Sequence, residues 1–415
     1  MEYFKQLEIR AKGGHKMNVP DPQYVGQNKD EIYISGWSPA LGNYNSGGYY
    51  VIRINKHDSE YWVDQFPLNK ERIVYLAVTE NDASIIFYSE ISRQKKTAKY
   101  RISEYRYQKN GGKELLKYEI QLIHYLQSVF KKITHEDKYL AIIGEPLGDQ
   151  NKSAIMLSII KNNYLSHQKT YDNFGVPGTP PNQQINYLTN AKKVIISRAG
   201  NILVLFEPHV RGSNNSGPYY SYSALLHVDT SGKKIWPQVI FGSSNYSTDP
   251  IDLVVGVDGS VFVLTIRTTR GNREWWQLVL NRIKPTGEVS TSGWPKVIQL
   301  SGRHFQSHLD CDSEGVFVSG THRIKDGTGE KSPRTGKEAP AYCLPFVYKY
   351  HYDGSSTHLS SLKFYNPGEF WIFSKLIADD DYFYLIGSVT NRYIWFEPNV
   401  KNLVIRRFDK HGNIG

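Results

Sequence analysis

The chain has 415 residues, of which 40 % are hydrophobic, and a formal charge of +10. This is enough apolar material for a large core, which excludes wholesale disorder, and no run approaches the roughly 18 apolar residues that a membrane helix needs. The only cysteines, Cys311 and Cys343, exclude a disulfide framework and a thiolate metal site and read as two small buried or half-buried thiols.

At the N-terminus, MEYFKQLEIRAKGGHK carries an acid at Glu2 and lacks an apolar stretch of about 7–15 residues, so a Sec signal peptide is not expected. Its first nine residues, Met1–Ile9, read as a strand comparable with SEYWVDQFPL at Ser59–Leu68. From Ile32 onward one pattern recurs. A polar turn leads into a short apolar run, and the runs begin at Ile32, Ile85, Leu140, Ile202, Val261, Val316 and Phe383. They are 53 to 67 residues apart, and the path from Phe383 through Gly415 and on from Met1 to Ile32 is 64 residues, a similar length. A fixed period of this size marks a repeat architecture.

Each run is followed, after a variable loop, by an alternating strand and a tight polar turn. Examples are SALLHVDTSGKKIW, QLVLNRIKPTGEV, PFVYKYHYDGSSTHL and LVIRRFDKHGNIG. Their Gly and Asn residues supply the positive φ that short hairpins require. The best amphipathic helix candidate is Gly111–Lys132, GGKELLKYEIQLIHYLQSVFKK, yet its Tyr, Ile, Leu and Val content also suits a pair of strands.

Each unit therefore supplies four antiparallel strands, a to d. One such sheet cannot bury both faces, whereas seven arranged radially can. The expected fold is all-β: a seven-bladed β-propeller of four-stranded antiparallel blades, one domain over residues 1–415. The strand at Met1–Ile9 completes the seventh blade and leaves no exposed edge. A ring latched by its own strand needs no partner to fold, so a monomer is expected.

LNRIKPTGEVSTSGW and RRFDKHGNIG resemble bacterial propeller repeats built on an R-(hydrophobic)-x-x-x-G turn. VDTSGKKIW (Val228–Trp236), which occurs once, resembles the tryptophan-docking motif of quinoprotein propellers. These resemblances imply the fold and no chemistry. Quinoprotein enzymes usually have eight blades and hold their cofactor on dedicated residues without counterparts here, so no cofactor is expected.

In a–b–c–d order the c–d turns lie at one end of the ring and the b–c and d–a loops at the other. The c–d turns are uniformly short and the b–c segments vary widely, so the working face is expected at the b–c end. Those segments carry +6 of the total +10. Clustered positive charge favours an anionic partner, and Tyr and Trp among Gly, Ser and Asn favour a glycan or protein ligand. The binding candidates are Tyr44, Arg211, Tyr219, Tyr220, Arg270, Arg273, Arg323 and Trp395. The alternative for aromatics such as Tyr49, Tyr50, Trp275 and Trp276 is packing between blades at the start of strand c. The insert Arg323–Lys337, broken by Gly, Pro and acids, reads as a solvated loop.

No nucleophile-elbow, HExxH, P-loop or nucleic-acid motif is present. An enzymatic alternative remains: a metal-dependent hydrolase or lactonase at the channel mouth, with Asp21, Asp249, His308 and Glu369 as the ligand ring. The Asn-, Lys- and Tyr-rich composition points to a bacterium of low G+C content. A cytosolic location, or export by a non-Sec route as cargo or effector of a contractile injection particle, is the matching expectation.

Overall fold

The computed structural model describes residues 4–7, 22–38, 48–57, 60–67, 72–79, 82–108, 112–124, 128–133, 138–144, 154–172, 189–197, 199–211, 219–242, 246–269, 272–299, 304–324, 342–359, 369–391 and 402–413. Their regular structure is all strand. β1 is Phe4–Leu7. Blade 1 follows as β2 (Tyr24–Gln27), β3 (Glu31–Ser38), β4 (Gly48–Asn55) and β5 (Tyr61–Pro67). Blade 2 is β6 (Arg72–Val78), β7 (Asp82–Arg93), β8 (Ala98–Gln108) and β9 (Lys113–Leu122). Blade 3 is β10 (Ser128–Ile133), β11 (Lys138–Gly144), β12 (Ile155–Lys161) and β13 (Tyr164–Tyr171). Blade 4 is β14 (Thr189–Ile196), β15 (Ile202–Arg211), the short β16 (Tyr219–Ser221), β17 (Ser223–Val228) and β18 (Val239–Phe241). Blade 5 is β19 (Tyr246–Val255), β20 (Val261–Thr269), β21 (Asn272–Ile283) and β22 (Lys296–Gln299). Blade 6 is β23 (His304–Cys311), β24 (Gly315–Ile324), β25 (Tyr342–His351) and β26 (Ser356–His358). Blade 7 is β27 (Glu369–Ala378), β28 (Tyr382–Asn391) and β29 (Asn402–Asp409).

The chain is a seven-bladed β-propeller. Every blade is antiparallel in chain order, and blade 7 takes β1 as its outer strand. Phe4 lies opposite Arg406 and Leu7 opposite Leu403, so the first and last described strands latch the ring. Gly111–Lys132, the ambiguous stretch, resolves into β9 and β10, which belong to different blades.

Burial explains the recurring apolar runs. Strand b of each blade is packed on both faces. In β20, Phe262, Leu264 and Ile266 pack forward on Val316 and Val318 of blade 6. Val261 and Val263 of the same strand pack back on Leu203 and Leu205 of blade 4. The last interface is of the same kind: Ile32 and Ile34 of blade 1 meet Tyr384 and Ile386 of blade 7. A strand dry on both faces loses the polar/apolar alternation of a half-exposed strand and reads as a continuous apolar run.

A second contact seals the c–d end. Trp236 of blade 4 is buried and lies over Gly287 in the next blade's c–d turn. Gly287 has φ +91°, and a Cβ there would sit 2.6 Å from Trp236 Cγ, so glycine meets both the backbone and the steric demand. The motif that appears once in sequence has structural counterparts on other blades. Tyr171 donates to the Gly232 carbonyl at 2.7 Å, Trp294 approaches Gly354, and Leu359 approaches Gly412. Four successive interfaces thus share one docking geometry with different side chains.

Candidate functional site

The innermost strands surround a cavity of about 700 Å³ lined from blades 1, 2, 4, 5, 6 and 7. Most of these strands break register once. The shifts fall at Ile73/Tyr75 in β6, Ala191/Lys193 in β14, Pro250/Asp252 in β19, His304/Gln306 in β23 and Phe373/Lys375 in β27. A bulge inserts one residue and re-aims the side chains that follow. Here the residues immediately after it include Tyr75, Lys193, Asp252 and Lys375, all of which line the cavity.

Register then aligns four polar groups from four consecutive blades. Lys193 lies opposite Leu205, Asp252 opposite Leu264, His308 opposite Ser319 and Lys375 opposite Ile386. Each partner is the fourth residue of its apolar run, so the four groups occupy one level of the channel. Lys193 Nζ pairs with Asp252 Oδ1, and His308 Nδ1 pairs with Asp252 Oδ2. The Leu309 backbone N–H also donates to Asp252 Oδ2 at 2.9 Å, and the Leu253 N–H donates to Oδ1 at 2.8 Å. On the far side of the level, Tyr24 and Tyr75 meet edge to face with centroids 6.3 Å apart.

The charge states follow from these contacts. Burial opposes ionisation of Asp252, but Lys193 and His308 outweigh it and hold the carboxyl far below the usual carboxylate range. Burial pushes His308 down; Asp252 opposes this, while Lys375 and Lys193 add to the depression. Asp252 is therefore the anion and His308 a neutral imidazole whose Nδ1–H is donated to it. The ring meets Asp252 through Nδ1, and its side chain keeps 15 % exposure at the cavity wall. Asp310, two residues on, accepts the Ala378 N–H at 2.8 Å and the Cys311 N–H at 2.9 Å. Burial nevertheless pushes its carboxyl up to about 7. Among the described residues no three His, Cys, Asp or Glu side chains group as a metal site.

Of the four residues of the hydrolase alternative, three lie among the described residues. His308 lines the cavity and faces Asp252 rather than Asp249. Asp249 is half-buried on β19 opposite Ile266 and does not line the cavity. Glu369 opens β27 opposite Asn391, and Asp21 lies outside the described residues. Lys193, Asp252 and Lys375 escaped the sequence reading, whereas Asp310 stands out in sequence beside His304 and His308. A signal existed: Lys193, Asp252, His308 and Lys375 each stand eight or nine residues ahead of their strand-b run, which is one column of the repeat.

At the b–c end, β15 runs on beyond its pairing with β17 to pair with β16. Arg211 lies opposite Tyr219 and Val210 opposite Tyr220. This extension is anchored to blade 5, where the Ser221 N–H donates to Ser247 Oγ at 3.0 Å. Arg273 is carried on β21 beside the Thr269–Asn272 reversal, and Arg323 on β24 opposite Cys343. Nearby, the Arg267 guanidinium covers the Tyr246 ring at 4.8 Å and its Nε donates to Gln277 Oε1 at 2.9 Å. Tyr50 is fully buried and Tyr49 packs edge-on against Phe87, the blade-packing role anticipated for both. Tyr44, Arg270 and Trp395 lie outside the described residues. No helix among the described residues is long and apolar enough to cross a membrane.

No family model and no curated protein matches this chain. Solved structures resemble it at low identity. The WD40 domain of SCAP from fission yeast is 10 % identical, covering 99 % of this chain and 98 % of that one with a TM-score of 0.44. The N-terminal domain of Nup159 is 12 % identical over 82 % of this chain and 75 % of that one, with a TM-score of 0.34. An α-L-arabinanase from Penicillium chrysogenum, solved with arabinobiose, is 9 % identical over 72 % of this chain and 97 % of that one, with a TM-score of 0.33. At these values the likenesses say nothing about what this chain binds.

Proposed function

We propose that the chain is a non-enzymatic binding propeller that engages a protein or glycan bearing anionic groups through its b–c and d–a loop face. The observation that carries this reading is an arc on three consecutive blades. The strand ladders bring Arg211, Tyr219 and Tyr220 of blade 4, Arg273 of blade 5 and Arg323 of blade 6 to the same end of the ring. Tyr44, Arg270 and Trp395 fall in sequence between strands b and c of their repeats and lie outside the described residues. Guanidinium groups recognise carboxylate, sulfate or phosphate through paired donors, and Tyr adds rigid contact area at small entropic cost. The opposite end carries tight turns such as Asp229–Lys233, closed by the Asp229 side chain.

Screening the purified chain on arrays of sulfated and neutral glycans and of proteins tests the proposal. Binding is expected to be lost in the Arg211→Ala, Arg273→Ala, Arg323→Ala triple variant and kept in Lys284→Ala, which alters the opposite end. Binding retained by the triple variant at an unchanged melting temperature overturns it, as does equal loss in Lys284→Ala. The bacterial cargo or effector role belongs to the same proposal, and co-purification with contractile injection particles tests that part.

A further inference from the structure

Far from the channel, the outer strands of blades 1 and 2 meet at an aromatic cluster. Alternation along β5 turns Trp62, Asp64 and Phe66 to one side, and their contacts show that this side faces blade 2. Phe66 packs against Phe87 and Tyr105 with ring centroids 4.9 and 4.7 Å apart. Trp62 meets Tyr107 edge to face at 5.1 Å, and the Tyr107 hydroxyl donates to Asp64 Oδ2 at 2.8 Å. On β9, Lys113 lies opposite Tyr107 and Leu115 opposite Tyr105, so both share the face that looks at blade 1. The Lys113 ammonium is seated in this cluster. Its Nζ lies 4.9 Å from the Phe66 ring centroid, 5.1 Å from that of Tyr105 and 5.5 Å from that of Tyr107. It also pairs with Asp64 Oδ2.

A staple between blades accounts for less. Asp64 already accepts the Tyr107 hydroxyl and the Gln65 N–H. The Lys113 side chain keeps 40 % exposure, and a pair this exposed holds weakly, because both groups stay hydrated and the lysine loses rotamer freedom. Three ring faces and a carboxylate around one ammonium are the composition that recognises organic cations. The spacing suits a methylated one. With the nitrogen 4.9 to 5.5 Å from the ring centroids, an N–methyl bond of about 1.5 Å brings the methyl carbon to about 3.5–4 Å, the best distance for carbon contacts. Trp62 is 41 % and Leu115 43 % exposed, which continues the apolar surface beyond the rings. Lys113 leaves the cluster by rotation of its own side chain, with no change in the β8–β9 ladder.

We infer that the cluster of Phe66, Tyr105, Tyr107 and Asp64 is a binding site for methylated alkylammonium groups, quaternary ones best, and that Lys113 is the built-in competitor that fills it in the free chain. The rings and Asp64 attract any cation. A quaternary group is less hydrated than the compact ammonium of Lys113 and so gives up less on entering an aromatic site. The apparent affinity is reduced by the share of chains in which Lys113 occupies the site. The site lies away from the loop face and takes a ligand of opposite charge, so it stands independently of the function proposed above.

NMR of the tryptophan indole N–H groups tests this, with the Trp62 signal assigned by Trp62→Phe. Choline is expected to shift that signal saturably in the wild-type chain, with a Kd on the order of 1–10 mM. Lys113→Ala is expected to bind choline several-fold more tightly, since the competitor is gone, and adding Asp64→Asn to that variant is expected to reverse the gain. 3,3-Dimethylbutanol, the neutral isostere of choline, is expected to bind at least about tenfold more weakly to both proteins. A tripeptide carrying trimethyllysine, titrated beside choline, separates the sources: tighter binding of the peptide assigns the group to a modified protein side chain, and tighter binding of choline to a free solute. Absence of a saturable Trp62 shift at about 50 mM choline in the wild-type chain overturns the inference and needs no variant. Equal binding of dimethylbutanol overturns cation recognition. Equal choline affinity in the wild-type chain and a folded Lys113→Ala overturns the role of Lys113.

Discussion

The substitution Asp310→Asn isolates the energetic effect of one buried carboxyl. Its value rises from 3.8 to about 7 in the folded state, chiefly because burial penalises the charge. Between those two values the folded chain holds a proton that the unfolded chain has released. The stability it contributes is therefore complete at low pH and is lost as pH rises through that window. A shift of about three units at about 1.36 kcal/mol each gives an upper bound of about 4 kcal/mol. Water in the adjoining cavity lowers it, so about 2–4 kcal/mol is expected. The amide of the variant cannot titrate, and its one side-chain oxygen still accepts a backbone N–H. Urea unfolding of both proteins at intervals from pH 4.5 to pH 8 yields the difference in unfolding free energy, in which all other titrating groups cancel. The variant is expected to be the less stable protein at pH 4.5 and to gain about 2–4 kcal/mol on the wild type by pH 8. A difference constant within about 0.5 kcal/mol across that range would show that Asp310 is not charge-penalised and would refute the reasoning.

Lys349→Met removes the partner of Asp312, which is 5 % exposed and bonded to Lys349 Nζ at 2.6 Å. The Asp312 carboxylate keeps the Glu314 and Gly315 N–H donors but loses its cation, which costs up to about 3–5 kcal/mol, and the double variant Lys349→Met, Asp312→Asn is expected to recover part of it in chemical denaturation. Gly287→Ala places a methyl group against Trp236 at a positive-φ turn; a loss of about 2–4 kcal/mol is expected from strain and overpacking together. Trp236→Ala opens the same interface from the other side and is expected to cost about 3–5 kcal/mol by thermal or urea unfolding. Deleting residues 1–9 removes the ladder between β1 and β29. A lower melting temperature and concentration-dependent association through the freed edge are expected in light scattering.

Seven blades and their closure were legible in the chain because strand b has little freedom in composition. Ile85 and Phe87 face one neighbour while Ile86 faces the other, so most positions are apolar, the exceptions being small Ser, Thr and Gly, and the runs stand out wherever they recur. The turn glycines were legible for a similar local reason, since positive φ limits the residue type. The docking of one blade on the next was visible only at Trp236, because Tyr171, Trp294 and Leu359 meet the same steric need with unlike side chains.

The channel lay beyond local rules. Counting by twos along an inner strand assumes an unbroken pleat, and one extra residue at Ile251 reverses the parity between Asp249 and Asp252. His308 and Asp252 stand 56 residues apart on different sheets. Their pairing exists because the closed ring brings neighbouring inner strands together at matched height. Chain-local chemistry thus decided which segments are strands and how many sheets they make. Ring closure and the bulges decided which charges meet, since a bulge is a response to packing that no single stretch of residues spells out.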